Sequence, residues 1–473
     1  MKRKRQNIVL EKILVEDYAA EGKSLSRVDG KVVFIENAIP GDLVDVKLVR
    51  NKKDWAEGFV THVHEFSKDR VNPFCSHFGV CGGCQWQMLP YEKQLIYKQK
   101  QVEDNLQRIG KIILPALQPI IGAVKTRFYR NKLEYTFSNK RYLLADELHD
   151  PLISSVQNVA GFHAKGIFDK VVDIETCHLQ AEPTNLLRKS VKQWAIENYP
   201  SFYDIKLQQG WLRTMQVRIC TTGELMLNIV FGYEQKEKRV QLLDHMLQNF
   251  PGLTTLLYTI NQKKNDSLYD LDPQVYHGKG YVIERLEDFE FKIGSKSFFQ
   301  TNSEQAMRLY QVIRDFAGLT GKEIVYDLYC GTGSIGIFVS KLAKKVIGVE
   351  TVPEAVADAR ENAALNRIHH AFFFEGDVAD ICNDEFFGIQ GRPDTIITDP
   401  PRAGMHEKLL RKILDLEAPT LVYVSCNPAT QARDLNLLDE KYRVTRIQPV
   451  DMFPHTHHIE NVIQLKLKTR ADG

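Results

Sequence analysis

The strongest constraint on the fold is a regular alternation of strand-like and helix-like segments over the last third of the chain. Four short, mostly apolar runs are typical of buried strands: residues 324–329, 345–350, 395–398 and 420–424. Residues 331–342 and 353–366 lie between them and have helical spacing. This alternation predicts an α/β fold with a doubly wound, Rossmann-like parallel sheet, which binds ligands at the carboxyl ends of its strands.

A glycine-rich turn joins the first predicted strand to the first predicted helix. Residues 331–336 fit the pattern G-x-G-x-x-G, and Glu350 ends the second predicted strand, where a carboxylate suits ribose hydroxyls. Both features serve NAD and S-adenosylmethionine equally well. Asp327 precedes the glycines and would repel a pyrophosphate, whereas it would attract the positive charges of S-adenosylmethionine. Asp377, after a third strand, is placed to bind an adenine amino group. The sequence therefore favours S-adenosylmethionine.

Three residues after the later strands predict a specific chemistry. Asp399 is followed by two prolines and then by Arg402, instead of the aromatic residue usual in amino-group methyltransferases. Cys426 follows the fourth strand, and Glu460 lies downstream. A thiolate that adds to carbon 6 of uracil makes carbon 5 nucleophilic, and a base must later remove the hydrogen from carbon 5. A strand-end thiol and a carboxylate each have an ordinary structural explanation, but the three residues together predict methylation of uracil at carbon 5.

The first part of the chain predicts two further domains. Short β-rich runs and turns within residues 1–68 suit a five-stranded barrel of the oligonucleotide-binding type. Residues 69–295 are expected to form a mostly β central domain, followed by a catalytic domain at 296–473. An amphipathic helix at about 91–110 is a candidate for packing on the catalytic domain. Residues 127–132 mix cations and aromatics, as RNA-contacting strands do, although an ordinary amphipathic strand also explains this pattern.

Cysteine spacing indicates a metal site in the central domain. Three of the eight cysteines form the pattern C-x5-C-x2-C at Cys75, Cys81 and Cys84, with Cys177 as a distant fourth ligand. The spacing alone leaves zinc and an iron–sulfur cluster open.

The bulk composition limits where the protein works and what it binds. The formal net charge is only +2, so nucleic-acid binding must depend on local basic patches. One such patch is the run of Arg50, Lys52 and Lys53 beside Trp55. No segment has the pattern of a signal peptide or a membrane span, and none suggests a coiled coil, so a cytoplasmic monomer is expected.

Five segments carry a resemblance to the RNA uracil-5 methyltransferases: residues 299–302, 327–336, 399–404, 425–428 and 451–460. The resemblance implies that Cys426 is the nucleophile and Glu460 the general base. It also implies a set of residues around S-adenosylmethionine, namely Gln300, Tyr329, Ser334, Glu350, Asp377 and Asp399. The N-terminal barrel is similar to the RNA-binding TRAM domain.

The resemblance extends to the cysteines and to the RNA. It implies a [4Fe–4S] cluster on Cys75, Cys81, Cys84 and Cys177. It favours a uridine of 23S ribosomal RNA, because bacterial members that act on tRNA usually lack both the TRAM domain and the cluster. The target uridine is expected to flip out of its stack to reach the enzyme. Two alternatives remain open: the same reaction on the T-loop of tRNA, and a non-catalytic RNA-binding or ribosome assembly factor.

Overall fold

The computed structural model describes residues 8–19, 22–144 and 146–469, which form three large β-sheets and a separate hairpin. The first sheet has six strands: β1 (Val9–Leu14), β2 (Asp17–Tyr18), β3 (Ser24–Val28), β4 (Lys31–Glu36), β5 (Leu43–Asn51) and β6 (Trp55–Glu65). Their order is β1-β5-β6-β4-β3-β2. Alternate residues such as Val33, Ile35 and Val44 point into a small apolar core of their own. The prediction of an N-terminal β domain is confirmed, with one strand more than expected.

An irregular segment that carries three of the predicted metal ligands follows this sheet and leads into helix α1 (Tyr91–Asn105). The helix continues as a π-helical turn (Leu106–Gly110). Val102 and Leu106 are fully buried against apolar residues of the C-terminal part of the chain, including Ala432 and Leu435. Helix α1 therefore packs on the C-terminal domain.

The central sheet has seven strands: β7 (Lys132–Lys140), β8 (Val156–His163), β9 (Val171–Asp173), β10 (Leu212–Ile219), β11 (Leu225–Phe231), β12 (Thr255–Ile260) and β13 (Gln274–Gly278). Their order is β13-β12-β11-β10-β7-β8-β9, and two helices, α2 (Thr184–Glu197) and α3 (Lys236–Asn249), share its core. The prediction of a strand at 127–132 is wrong except for Lys132, which begins β7. Phe128 has a φ of 56°, which no strand accommodates, and the Arg127 guanidinium lies 3.8 Å from the ring centre of Phe74.

A hairpin of β14 (Val282–Leu286) and β15 (Phe289–Ile293) follows the central sheet. Its buried side chains, among them Phe289 and Phe291, join the core of the C-terminal domain together with residues of α4 (Ser303–Ala317). The domain boundary expected between residues 295 and 296 remains a prediction. The hairpin precedes this boundary in the chain, but it packs with the C-terminal domain that follows it.

The C-terminal sheet also has seven strands: β16 (Ile324–Leu328), β17 (Lys345–Glu350), β18 (Ala371–Glu375), β19 (Thr395–Thr398), β20 (Thr420–Ser425), β21 (Tyr442–Val450) and β22 (Glu460–Leu467). Their order is β18-β17-β16-β19-β20-β22-β21. The strands from β18 to β20 are parallel, and β22 is antiparallel to both of its neighbours.

Helices cover both faces of this sheet, as the strand–helix alternation predicts. They are α4, α5 (Ser334–Val339), α6 (Pro353–Leu365), α7 (Val378–Ile381), α8 (Asp384–Gln390), α9 (Glu407–Leu416) and α10 (Pro428–Leu438). One apolar core lies between the sheet and α4, α5 and α6, and a second lies between the sheet and α9 and α10. The predicted doubly wound α/β fold is confirmed. None of the helices in the described part of the chain is long and apolar enough to cross a membrane.

Candidate active site

The antiparallel pairing of β20 with β22 brings Cys426 and Glu460 together. The last paired residues of these strands are Ser425 and Asn461, and the next step along each strand leads to Cys426 and Glu460. Residues directly opposite each other in such a ladder have Cα atoms roughly 5 Å apart. The fold thus places the predicted nucleophile beside the predicted base, although 33 residues separate them in the sequence.

The loop after β19 completes this group with Asp399 and Arg402. The carbonyl oxygen of Arg402 accepts hydrogen bonds from Asn427 Nδ2 (3.0 Å) and Thr430 Oγ1 (3.2 Å), which fasten the loop to the start of α10. The positive charge of the Arg402 guanidinium also acts to lower the pKa of the Cys426 thiol. It is therefore placed to stabilise a thiolate at Cys426, a role that sequence reasoning did not assign to it.

Burial shapes the proton affinities of the group. It raises the pKa of the Cys426 thiol to about 11, an effect that Glu460 and Asp399 increase and Arg402 opposes. Burial, reinforced by Asp399, raises the pKa of Glu460 well above its ordinary value, and burial also raises the pKa of Asp399. Two neighbouring carboxyls in a poorly solvated site resist simultaneous ionisation. A carboxylate with a raised pKa is a stronger base, which suits the removal of a proton from carbon.

The glycine turn lies at the carboxyl end of β16 and is held by two carboxylates. Gly331 N donates to Glu350 Oε2 (3.1 Å), and Gly336 N donates to Asp327 Oδ2 (2.8 Å). Gly333 has a φ of 76°, and a Cβ there would lie 2.9 Å from the ring of Phe373, so both conformation and space require glycine. Asp327 therefore supports the turn itself, in addition to any interaction with a ligand. Burial raises its pKa to about 7.

The other expected cofactor residues lie in this turn, beside it in the chain, in a loop that contacts it or after the strand β18. Tyr329 follows β16 with a φ of 62°, Ser334 Oγ lies 2.8 Å from the hydroxyl of Tyr310, and Asp377 caps α7 by accepting from Ala379 N (2.8 Å). Gln300 precedes α4, in a loop whose Phe298 carbonyl accepts from Thr332 Oγ1 (3.4 Å). The structure thus brings the residues of the predicted cofactor site to one edge of the sheet.

A cavity of about 650 Å³ opens at Cys426 and is lined by three parts of the chain. The C-terminal domain contributes Arg402, Cys426, Asn427, His457 and His458. The N-terminal sheet and the central region add Lys23, Glu36, Asn37, Gln85 and Lys165. Sequence reasoning did not find this second group, because tertiary packing alone brings it to the site.

The loop between β21 and β22 carries the histidines of the cavity and is fixed from outside the C-terminal domain. Lys98 Nζ of α1 lies 2.6 Å from Asp451 Oδ1, and Tyr91 OH donates to Asp451 Oδ2 (2.7 Å). The backbone N–H groups of Gln85 and Trp86 donate to the carbonyl of His455 (2.8 and 3.1 Å). Helix α1 and the cysteine-bearing segment therefore determine where this loop lies.

The four cysteines predicted as metal ligands line one cavity of about 160 Å³. All are free, and the remaining lining is largely apolar, with Phe74, Phe78 and Phe162 among its residues. Burial raises the pKa of Cys81 to about 12 and that of Cys84 to about 11. Among the described residues, however, no three His, Cys, Asp or Glu side chains are arranged to hold a single metal ion. The structure thus gathers the four thiols but does not show the expected metal site.

Comparison with known protein families identifies two matching segments. The profile described as tRNA (Uracil-5-)-methyltransferase matches residues 271–468, and that of the TRAM domain matches residues 10–61. Similar proteins include an uncharacterized RNA methyltransferase of Bacteroides thetaiotaomicron, 53% identical over 95% of this chain and 100% of that protein. Another, from Porphyromonas gingivalis, is 49% identical over 96% of this chain and 99% of that protein.

A similar solved structure is the tRNA (uracil-54, C5)-methyltransferase of Pyrococcus abyssi in complex with S-adenosyl-L-homocysteine. It is 28% identical, with a TM-score of 0.74, over 96% of this chain and 100% of that one.

Proposed function

The chain belongs to the RNA uracil-5 methyltransferase family, and from this premise we propose that it methylates carbon 5 of a specific uridine in 23S ribosomal RNA. The observation that carries the proposal is the β20–β22 register, which puts Cys426 beside Glu460 at the sheet edge that also holds the glycine turn. A protein that only binds RNA has no need of a thiol and a carboxyl paired in this way.

The proposed reaction uses three side chains. The Cys426 thiolate, stabilised by Arg402, forms a bond to carbon 6 of uracil and turns the ring into an enolate whose carbon 5 is nucleophilic. S-adenosylmethionine, when bound, supplies the methyl group to carbon 5 and leaves as S-adenosylhomocysteine. Glu460 then takes the hydrogen from carbon 5, the bond between carbon 6 and sulfur breaks, and the thiolate returns with the product 5-methyluridine.

The residues around the glycine turn are proposed to hold the methyl donor. Glu350 ends β17 where ribose hydroxyls are usually bound, and Asp377 ends the next strand where an adenine amino group is expected. Gln300, Tyr329, Ser334 and Asp399 complete the proposed set. Tyr329 and Asp399 follow β16 and β19 directly, so both lie at the carboxyl edge of the sheet.

The RNA target is the finer part of the proposal. The TRAM domain and the four gathered cysteines support ribosomal RNA, by the family resemblance described above. The similar Pyrococcus enzyme acts on uracil 54 of tRNA and favours tRNA as the second candidate.

Deleting the gene and analysing the nucleosides of purified 23S rRNA and tRNA by mass spectrometry separates these targets. We expect 5-methyluridine to disappear from 23S rRNA and to return when the wild-type gene is restored. Loss from tRNA alone would transfer the proposal to tRNA. If both RNAs keep their 5-methyluridine, and the protein forms no covalent adduct with 5-fluorouridine RNA, the protein is a binding or assembly factor.

We further propose that the four cysteines hold a [4Fe–4S] cluster. The support for this proposal is that all four cysteines line one cavity of about 160 Å³ whose remaining walls are largely apolar. Methyl transfer moves no net electrons, so the cluster would be structural.

Anaerobic purification tests the cluster. We expect brown protein with bound iron and sulfide, and we expect Cys177→Ser to lose most of both because one of the four ligands is gone. Cys220→Ser, at a buried cysteine outside this cavity, is the matched control and should retain them. Colourless protein that contains only zinc would refute the proposal.

A further inference from the structure

Two adjacent histidines face the cavity that contains the proposed nucleophile. His457 and His458 are half-buried, with ring centres 4.2 Å apart, and both line the cavity with Cys426. In each ring, Nδ1 is hydrogen-bonded to a protein side chain, which is Gln85 for His457 and Arg402 for His458. Neither Nε2 has a hydrogen-bond partner within residues 8–19, 22–144 and 146–469, and neither is fully buried, while both residues line the cavity. Each ring therefore presents one unused nitrogen to a bound molecule.

The bond to Arg402 determines the hydrogen on His458. Arg402 Nη2 lies 2.8 Å from His458 Nδ1, and a guanidinium has only donors. Nδ1 must therefore be the acceptor, and the hydrogen of the neutral ring sits on Nε2. His458 accordingly presents a hydrogen-bond donor to the cavity.

The bond to Gln85 determines the opposite arrangement on His457. Its Nδ1 lies 2.5 Å from the amide oxygen of Gln85, and the backbone N–H of His457 points to the same oxygen (3.5 Å). An amide oxygen only accepts, so Nδ1 carries the hydrogen and Nε2 is left with a free lone pair. His457 accordingly presents an acceptor.

The orientation of the His457 ring is restricted by its neighbours. Gly22 of the N-terminal domain has a φ of 72° and lies so close that a Cβ would come within 2.8 Å of the Cβ of His457. Burial lowers the pKa of His457 to about 4 and that of His458 to about 3, so both rings are neutral near pH 7. The acceptor and the donor are therefore fixed before any RNA binds.

We propose that this pair recognises the target base as uracil, with His457 Nε2 accepting the N3 hydrogen and His458 Nε2–H donating to a carbonyl oxygen next to N3. Uracil offers a donor at N3 between two carbonyl acceptors. Cytosine has no hydrogen on N3, so its lone pair would face the lone pair of His457. The inference rests on the proposed function, and it assigns the specificity for uracil to two side chains of the loop between β21 and β22.

Two RNA probes with one difference test the recognition of N3. Both are the RNA fragment that the protein methylates, with 5-fluorouridine or 3-methyl-5-fluorouridine at the target position. Fluorine prevents the final proton removal, so each probe reports the rate of adduct formation on a denaturing gel. We expect the wild-type protein to react at least about tenfold more slowly with the N3-methyl probe, because one hydrogen bond is lost.

The variants separate recognition from a structural role. His457→Ala should slow the reaction with the first probe about tenfold and bring the two rates within about twofold of each other. His458→Ala should slow adduct formation with both probes, and this variant should still react faster with the probe that has a hydrogen on N3. His369→Ala, at an exposed histidine that precedes the edge strand β18 and does not line the cavity, should change neither rate.

The outcomes distinguish this inference from the proposed function. If the wild-type protein forms no adduct with the 5-fluorouridine probe, the proposed function itself fails, and this inference fails with it. If the wild-type protein reacts but has no preference between the probes, or if His457→Ala slows both equally, only the recognition of uracil by the histidines is refuted.

Discussion

Replacing Glu460 with glutamine is expected to stop the reaction after methyl transfer and leave the RNA bonded to Cys426. Glutamine keeps the shape of the side chain but cannot take the proton from carbon 5, so the bond between carbon 6 and sulfur cannot break. Turnover should fall by roughly 10²- to 10⁴-fold, the usual contribution of a general base. The adduct should form with ordinary uridine RNA and S-adenosylmethionine, and it should be visible on a denaturing gel and by mass spectrometry.

Three comparisons make this result specific. The wild-type protein should release its product and leave no lasting adduct with ordinary uridine. Adding Cys426→Ala to the Glu460→Gln variant should abolish the adduct. Glu385→Gln, at an exposed carboxylate in α8, should turn over normally. If Glu460→Gln releases methylated RNA at the wild-type rate, another group is the base, and Asp399 would be the first candidate because it lies next to Glu460.

The sequence predicted the parts of this site that depend on local pattern. Strand β16, the turn at Gly331 and Gly333, and the carboxylate of Glu350 follow one another within a single strand–turn–helix–strand unit. Such a unit is encoded by apolar runs and by glycines in fixed positions, which are visible without knowledge of the rest of the chain.

The proximity of Cys426 and Glu460 could not be predicted from local sequence pattern. It depends on β22 lying between β20 and β21 in the antiparallel direction, a pairing between strands that α10 and β21 separate in the chain. The sequence named both residues through the chemistry they share and through family resemblance, and the strand order supplies the reason why they meet. Gln85 and Lys23 escaped notice for the same reason, because their own sequence surroundings contain no sign of a catalytic site.

The irregular segment at 127–131 shows the converse error. The mixture of cationic and aromatic residues predicted a strand there, but tertiary contacts override the pattern. Arg127 stacks on Phe74, Phe128 takes a positive φ, and the Asn131 side chain donates to the carbonyl of Gln300 (2.9 Å). A short pattern is a weak predictor where neighbours from distant parts of the chain compete for each side chain.

The second large effect is expected at Lys98, whose replacement by methionine should lower the free energy of unfolding by about 3–5 kcal/mol. The side chains of Lys98 and Asp451 are both 0% exposed and lie 2.6 Å apart. Asp451 also accepts from Tyr91 OH (2.7 Å) and from Phe453 N (3.0 Å), but removing the ammonium leaves its carboxylate buried without a countercharge. Urea denaturation of the purified variant measures the change.

Another lysine of the same helix provides the matched control. Lys93 pairs with Asp69 at 2.8 Å, but these side chains are 41% and 40% exposed, so Lys93→Met should cost at most about 1 kcal/mol. Adding Asp451→Asn to Lys98→Met should recover part of the loss, because a neutral amide is less costly to bury than an unpaired carboxylate. If Lys98→Met is no more destabilising than Lys93→Met, the buried pair does not stabilise the fold.

The position of this pair also predicts an effect on catalysis. Asp451 begins the loop that carries His457 and His458 and ends at Glu460, and Lys98 Nζ also donates to the carbonyl of Phe453 in that loop (3.1 Å). Loosening the loop should therefore reduce the rate of adduct formation with 5-fluorouridine RNA at temperatures where the variant is still folded. Lys93→Met should leave that rate unchanged. A folded Lys98→Met protein that reacts at the wild-type rate would show that the pair stabilises the domain without positioning the loop, and that Gln85 and Trp86 hold the loop without it.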